Sequence, residues 1–183
     1  MEKEMVRPED ILDFWFSEEC RRCWFNSSDE LDKKITMEYE SVWQQARDGA
    51  LEQWKQTAQG CLALVIILDQ FPLNMYRGQA KSFSTEAASR EVARYALEKE
   101  FDKAISEEQK LFLFLPFMHS EELADQERSV ELFTQAGMET RWAEHHRDIV
   151  RRYGRFPHRN EALGRTSTEE ETAYLNSADA FKG

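Results

Sequence analysis

Apolar residues recur at helical spacing along most of the chain, and no run alternates apolar and polar residues over the length of a strand. Pro8 precedes Glu9 and Asp10, then Ile11, Leu12, Phe14 and Trp15, which predicts a helix with proline in its first turn. Leu31, Ile35, Tyr39 and Val42 line one face of a second helix, starting near Ser28 and ending before Gly49. A third is predicted from Leu51 to Phe71. Its second half, Cys61 to Leu68, is apolar on all sides and belongs at the centre of a core. Pro72 is expected to stop it.

A fourth helix is predicted from Ser84 to Phe101. Ser106 with Gln109 forms a capping box that opens a helix from Glu107 to Leu115, halted by Pro116. Ser120 can cap a helix ending at Gly137, and another runs from Glu139 to Tyr153 with Gly154 as its terminator. Ser167 with Glu170 reads as a second capping box. Seven to nine helices with short connections predict an all-α fold of stacked antiparallel helix pairs, one domain over residues 1–183. One echo stands out: Phe71-Pro72 followed by Asn74 and Gly78 resembles Phe156-Pro157 followed by Asn160 and Gly164, as a repeated helix-terminating turn would.

Composition narrows the functional classes. A chain of 183 residues buries enough surface to fold without a metal or disulfide. A net charge of −11 argues against gripping nucleic acid or an anionic membrane. The charge is segregated, however. Residues 147–165 carry Arg147, Arg151, Arg152, Arg155, Arg159 and Arg165, whereas 121–131 carry Glu121, Glu122, Asp125, Glu127 and Glu131. Either these blocks pair or are solvated, or the arginines hold an anion. Met1, Glu2, Lys3 and Glu4 open no signal peptide, and no apolar run reaches the ~18 residues of a membrane span. Three cysteines without an export signal suit reduced thiols and a cytoplasmic protein.

Several polar residues sit in unexpected places. Asp69 continues the stripe Leu62, Val65, Ile66 on the most apolar helix, near the end whose dipole disfavours a carboxylate. It needs a cationic or multi-donor partner, with Arg77 and Arg155 as the candidates. It is either a structural ion pair that locks the following turn, or a general base or ligand-orienting acid. His119, Glu122 and Gln126 share one helical face, as a structural network, a substrate-contacting surface, an acid/base pair or two metal ligands would. His146 falls in line with Trp142, Ile149 and Tyr153, the position of a core histidine or of a ligand. Arg155, His158, Arg159, Asn160 and Arg165 crowd a segment punctuated by Gly154, Pro157 and Gly164, which suits bidentate capture of an external anion or of the protein's own carboxylates and carbonyls. Cys20 and Cys23 have the spacing of a zinc half-site or redox pair, but no second pair exists and no strand precedes them.

The segments Asp69-Gln70-Phe71-Pro72-Leu73-Asn74 with Arg77-Gly78, Phe117-Met118-His119-Ser120-Glu121 with Gln126, and Gly154 to Asn160 with Leu163-Gly164-Arg165 and Thr168 together resemble the bacterial family named domain of unknown function 924. Phe14-Trp15-Phe16 and Trp24-Phe25 fit its opening. The resemblance implies an all-α array similar to a tetratricopeptide superhelix, and it assigns no activity. Two positions depart from the family pattern: Leu73 stands where Arg is usual, and Glu86 where Asp is usual. The reading carried forward is a helical binding protein taking a peptide segment or small anion. Its candidate ligand residues are Asp69, Gln70, Arg77, His119, Glu122, Gln126, His146, Arg155, His158, Arg159, Asn160 and Arg165, with Asp69 orienting Arg77. No metal or cofactor is assigned. The rivals are a small-metabolite hydrolase or transferase with a His/Asp acid-base pair, and a polar network that is purely structural, with a partner bound elsewhere.

Overall fold

The structure is a computed structural model that describes residues 6–26 and 28–182, so Met1, Glu2, Lys3 and Glu4 lie outside the described residues. Every regular element among the described residues is helical. In order these are α1 (Pro8–Trp15), α2 (Glu18–Arg21), α3 (Asp29–Arg47), α4 (Ala58–Val65), α5 (Phe71–Met75), α6 (Glu86–Glu98), α7 (Glu107–Met118), α8 (Leu123–Gln135), α9 (Arg141–Tyr153) and α10 (Glu169–Leu175). A π turn, Ile66–Gln70, joins α4 to α5.

The chain divides into two compact units, one holding the residues before Gly78 with Lys81–Pro116, the other Gly78–Ala80 with the residues from Phe117 on. In the first unit α4 packs against α1 and α6, and α3 against α5. The expected apolar run is fully buried there: Cys61, Leu62, Val65, Ile66 and Ile67 have no exposed surface. Trp15 meets Phe71 at 5.8 Å and Phe112 edge-on at 5.5 Å between ring centroids. The stretch Ala58–Met75 is long and apolar enough for a membrane-crossing helix, yet 78% of it is buried within the protein, as for a core helix. In the second unit α8 packs on α9, and α10 on the short turn Pro157–Arg159. Ile149, Val150 and Phe156 form a buried cluster there, with Tyr153, Tyr174 and Phe181 against it.

Local signals set most helix ends. Ser28 accepts the Leu31 N–H, and Ser106 and Gln109 form the expected reciprocal pair at 3.0 and 3.3 Å. Gly137 and Gly154 end α8 and α9 in the left-handed region, with φ of 67° and 71°.

Five expectations are corrected. The third helix begins at Ala58, capped by Thr57, because Glu52–Gln56 is a separate 3₁₀ turn. Pro72 does not stop it. The π turn carries the chain past the proline, and the Phe71 N–H reaches back five residues to the Ile66 carbonyl. Pro72 has no N–H to offer the Leu68 carbonyl, and the Thr85 hydroxyl takes that carbonyl at 2.6 Å while accepting the Trp43 indole N–H at 3.1 Å. Pro116 likewise lies inside α7, in its last turn. The Phe-Pro echo is therefore no shared terminator, since Phe71-Pro72 is helical and Phe156 is extended; only Gly78 and Gly164 correspond, at φ 75° and 64°. The last capping box is Thr168 with Glu171, one residue beyond the expected pair.

Candidate functional site

The candidates divide between the two units. In the first, Asp69 and Gln70 lie in the π turn, buried, and the Gln70 amide donates to the Asp69 carboxylate at 2.6 Å. Arg77 is held elsewhere: it grips Asp32 through Nε at 3.0 Å and a terminal nitrogen at 3.2 Å, with the Asn74 amide on the same carboxylate at 2.8 Å. Asp32 replaces Asp69 as the residue that orients Arg77, because the turn from Asn74 to Arg77 lies against α3, which carries Asp32. Cys20 and Cys61 are buried free thiols, pushed up to about 12 and about 11 by burial, the reverse of a reactive or metal-binding cysteine.

The second unit gathers most of the other candidates into one network. Glu121 is its first hub. Both its oxygens accept from Arg165, at 2.7 and 2.9 Å, and one also accepts the Phe156 N–H at 2.7 Å. Burial raises the Glu121 pKa, but Arg165 and the Phe156 N–H outweigh it and hold the carboxyl below its usual range. Arg165 also reaches the Asn160 side-chain oxygen at 2.9 Å and the Phe156 carbonyl at 3.1 Å. Glu171 is the second hub. Arg155 grips it bidentately at 2.6 and 2.9 Å, Asn160 donates at 3.3 Å, and the Thr168 N–H at 2.8 Å. These bonds, Arg155 foremost, hold Glu171 at about 2. Arg155 also closes on the Thr166 carbonyl at 2.9 Å.

The turn between α7 and α8 is tied off in the same manner. The Gln126 amide nitrogen donates to the carbonyls of Met118 and Ser120, both at 2.6 Å. Arg159 donates to the His119 carbonyl at 3.0 Å and lies 4.8 Å over the Phe156 ring. The Ser120 hydroxyl donates to Asp125 at 2.7 Å and accepts the Glu122 N–H at 3.1 Å. Glu122 itself is exposed at the N-cap of α8. The acidic and basic blocks pair, through Glu121 with Arg165 and Glu127 with Arg151.

The histidines form a separate group. His146 is buried, and its Nδ1 lies 2.8 Å from the Trp142 carbonyl, which makes Nδ1 the protonated nitrogen of a neutral ring. Burial pushes its pKa down to about 3, and that of His158 to about 4. His145 stands edge-on to His146 at 6.2 Å, and the Phe181 ring lies against His146, His158 and His145 at 4.5, 5.0 and 6.3 Å. An acid/base pair would need a His bonded to a carboxylate; the hydrogen bond of His146 goes to a backbone carbonyl. Among the described residues, no three His, Cys, Asp or Glu side chains are placed to hold a metal ion.

Sequence reasoning missed Glu121 and Glu171 as hubs, and Phe181 altogether. Glu171 was within reach, as the acid one residue beyond the expected capping box. Phe181 signals itself as the one aromatic residue in the polar stretch after α10.

Fold and site together define an all-α protein in which paired carboxylates and arginines lock the turns around α8, α9 and α10. The chain belongs to the family of bacterial proteins of unknown function DUF924, whose model matches residues 11–179. It is similar to a solved structure, the protein of unknown function ATU0120 from Agrobacterium tumefaciens, with 37% sequence identity and a TM-score of 0.87 over 92% of this chain and 96% of that one. No curated protein matches the chain.

Proposed function

We propose that the protein is a binding protein whose polar motifs brace its fold, and that a partner is taken at its surface. The observation that carries this reading is the commitment of Arg155 and Arg165: each meets a carboxylate with two hydrogen bonds and spends a further donor on a backbone carbonyl. A guanidinium so engaged has little left for an incoming phosphate or carboxylate. Arg159 is buried and turned to the His119 carbonyl, and Gln126 to two carbonyls at the end of α7. These favour a structural role over the small-anion site.

The test is differential scanning fluorimetry on Arg155→Ala and Arg165→Ala, with and without orthophosphate and citrate. Both variants are expected to melt several degrees lower, with loss of Arg165 costing about 1–3 kcal/mol. Neither anion is expected to shift wild type and variants differently. An Arg155→Ala protein that melts as wild type does, but has lost an anion-induced shift present in wild type, would overturn the reading.

A further inference from the structure

Cys20 and Cys23 stand apart from the arginine network, in the first unit, where α2 ends. The chain tightens there. The Arg21 N–H still reaches back four residues, to the Ser17 carbonyl at 3.0 Å, but the bonds that follow span three. The Cys23 N–H donates to the Cys20 carbonyl at 2.9 Å, the Trp24 N–H to the Arg21 carbonyl at 3.5 Å, and the Asn26 N–H to the Cys23 carbonyl at 3.4 Å. In such turns the side chains three residues apart eclipse one another. Cys20 and Cys23 therefore project from the same side of one tight turn, where Cα atoms fall within the separation of about 4.4–6.8 Å that a disulfide spans. The two residues between them are committed elsewhere, Arg21 to Glu108 and Arg22 to Glu18. The next residue is pinned to the core: the Trp24 ring lies 4.6 Å from that of Phe112, and its indole N–H donates to the Trp15 carbonyl at 3.0 Å. Both cysteines are free thiols, Cys20 buried and Cys23 partly open to solvent.

We propose that Cys20 and Cys23 are a modification site, a dithiol that exchanges with a low-molecular-weight disulfide and closes into an intramolecular bond. Their difference in burial assigns the order of events. Cys23, the one that solvent reaches, attacks the external disulfide as its thiolate. Its sulfur bonds to one half of that disulfide, and the other half leaves as a thiolate. Cys20 then gives up its proton and attacks the Cys23 sulfur, which expels the second half. Each departing thiolate takes up one of the two protons that the protein thiols lost. Two protein thiols are thus oxidised, and one external disulfide is reduced to two thiols. Burial keeps Cys20 in its thiol form and away from the oxidant, so it serves as the resolving group once a mixed disulfide stands one turn away. Among the described residues no third His, Cys, Asp or Glu joins the pair to hold a metal ion, and a pair suits a disulfide. Closing the bond cross-links the turn that presents the exposed Phe25, so oxidation stiffens an apolar tip of the surface.

The experiment incubates the full chain in buffers of stepped oxidised-to-reduced glutathione ratio, blocks the remaining thiols with iodoacetamide under denaturing conditions, and maps every cysteine by mass spectrometry. Folded wild type is expected to carry a Cys20–Cys23 disulfide and no lasting glutathione, with Cys61 still a thiol. Cys20→Ala is expected to stop at glutathione on Cys23, because the resolving sulfur is gone. Circular dichroism establishes that this variant is folded. Should it not fold, wild type in concentrated urea takes its place: with the turn lost, half-closure is expected to need a ratio at least about tenfold more oxidising than in the folded chain. The proposal is overturned if folded wild type holds glutathione on Cys23 beside a free Cys20, if Cys23 does not react, or if Cys61 pairs with either. It is also overturned if closure in the folded chain needs as oxidising a ratio as in urea, because the turn would then contribute nothing to bringing the sulfurs together.

Discussion

Thr85 shows how one hydroxyl can hold a helix that its sequence would end. Pro72 leaves the Leu68 carbonyl without its helical donor inside a sealed core, and Thr85 supplies one from α6's N-terminal side while accepting from Trp43. Orphaning a buried carbonyl and a buried indole N–H costs more than the hydrogen bonds return when made. Thr85→Val, close to isosteric, is therefore expected to lose about 1–3 kcal/mol in urea denaturation. Thr85→Ser keeps the hydroxyl and should recover most of that. If Val and Ser variants are equally stable, the hydroxyl is not what satisfies Leu68.

Helix boundaries were legible wherever the cause is local. Ser28, Ser106 with Gln109, Gly137 and Gly154 mark ends as their chemistry dictates, because cap and capped groups lie within a few residues. Boundaries were misread where the deciding partner is distant. Pro72 is tolerated because of Thr85, and the box falls on Glu171 because Arg155 and Asn160, sixteen and eleven residues away, converge on it. The candidate site shows the same division. The arginine cluster and the acidic block were visible as composition, but the pairing of Arg165 with Glu121 across 44 residues is set by the packing of the unit. Two glycines allow a test of local against distant causes. At Gly154 a Cβ would meet nothing within 4 Å, so Gly154→Ala bears only the left-handed backbone, about 1–2 kcal/mol. At Gly60, ordinary in backbone, a Cβ would lie 1.9 Å from the Trp54 carbonyl oxygen. Gly60→Ala has to move backbone and should be the more destabilising of the two by chemical denaturation, despite alanine's better helix propensity.

Across the whole molecule, acid stability is set by groups whose folded and unfolded pKa values differ. His146 and His158 are held neutral by burial, at about 3 and about 4 against an ordinary 6.5. Around them stand His119, His145, Arg159 and Arg165, which oppose further positive charge, and Glu121, which favours it. Between pH 6.5 and those folded values the unfolded chain binds the protons, so stability is full above pH 6.5 and falls as pH drops. Each histidine contributes a slope of about 1.4 kcal/mol per pH unit. Glu171 acts in a lower window. Its folded value of about 2 against 4.5 gives stability that is present above pH 4.5 and lost as pH falls toward 2. The interval from pH 6.5 to 4.5 therefore isolates the histidines from Glu171. Urea titrations at steps across it should show a steady loss in wild type and about half that slope in His146→Phe, which retains a buried ring at that position but cannot titrate. An unchanged slope in that variant would mean that His146 already carries its proton in the folded protein, and the neutral ring bonded to the Trp142 carbonyl would have to be abandoned.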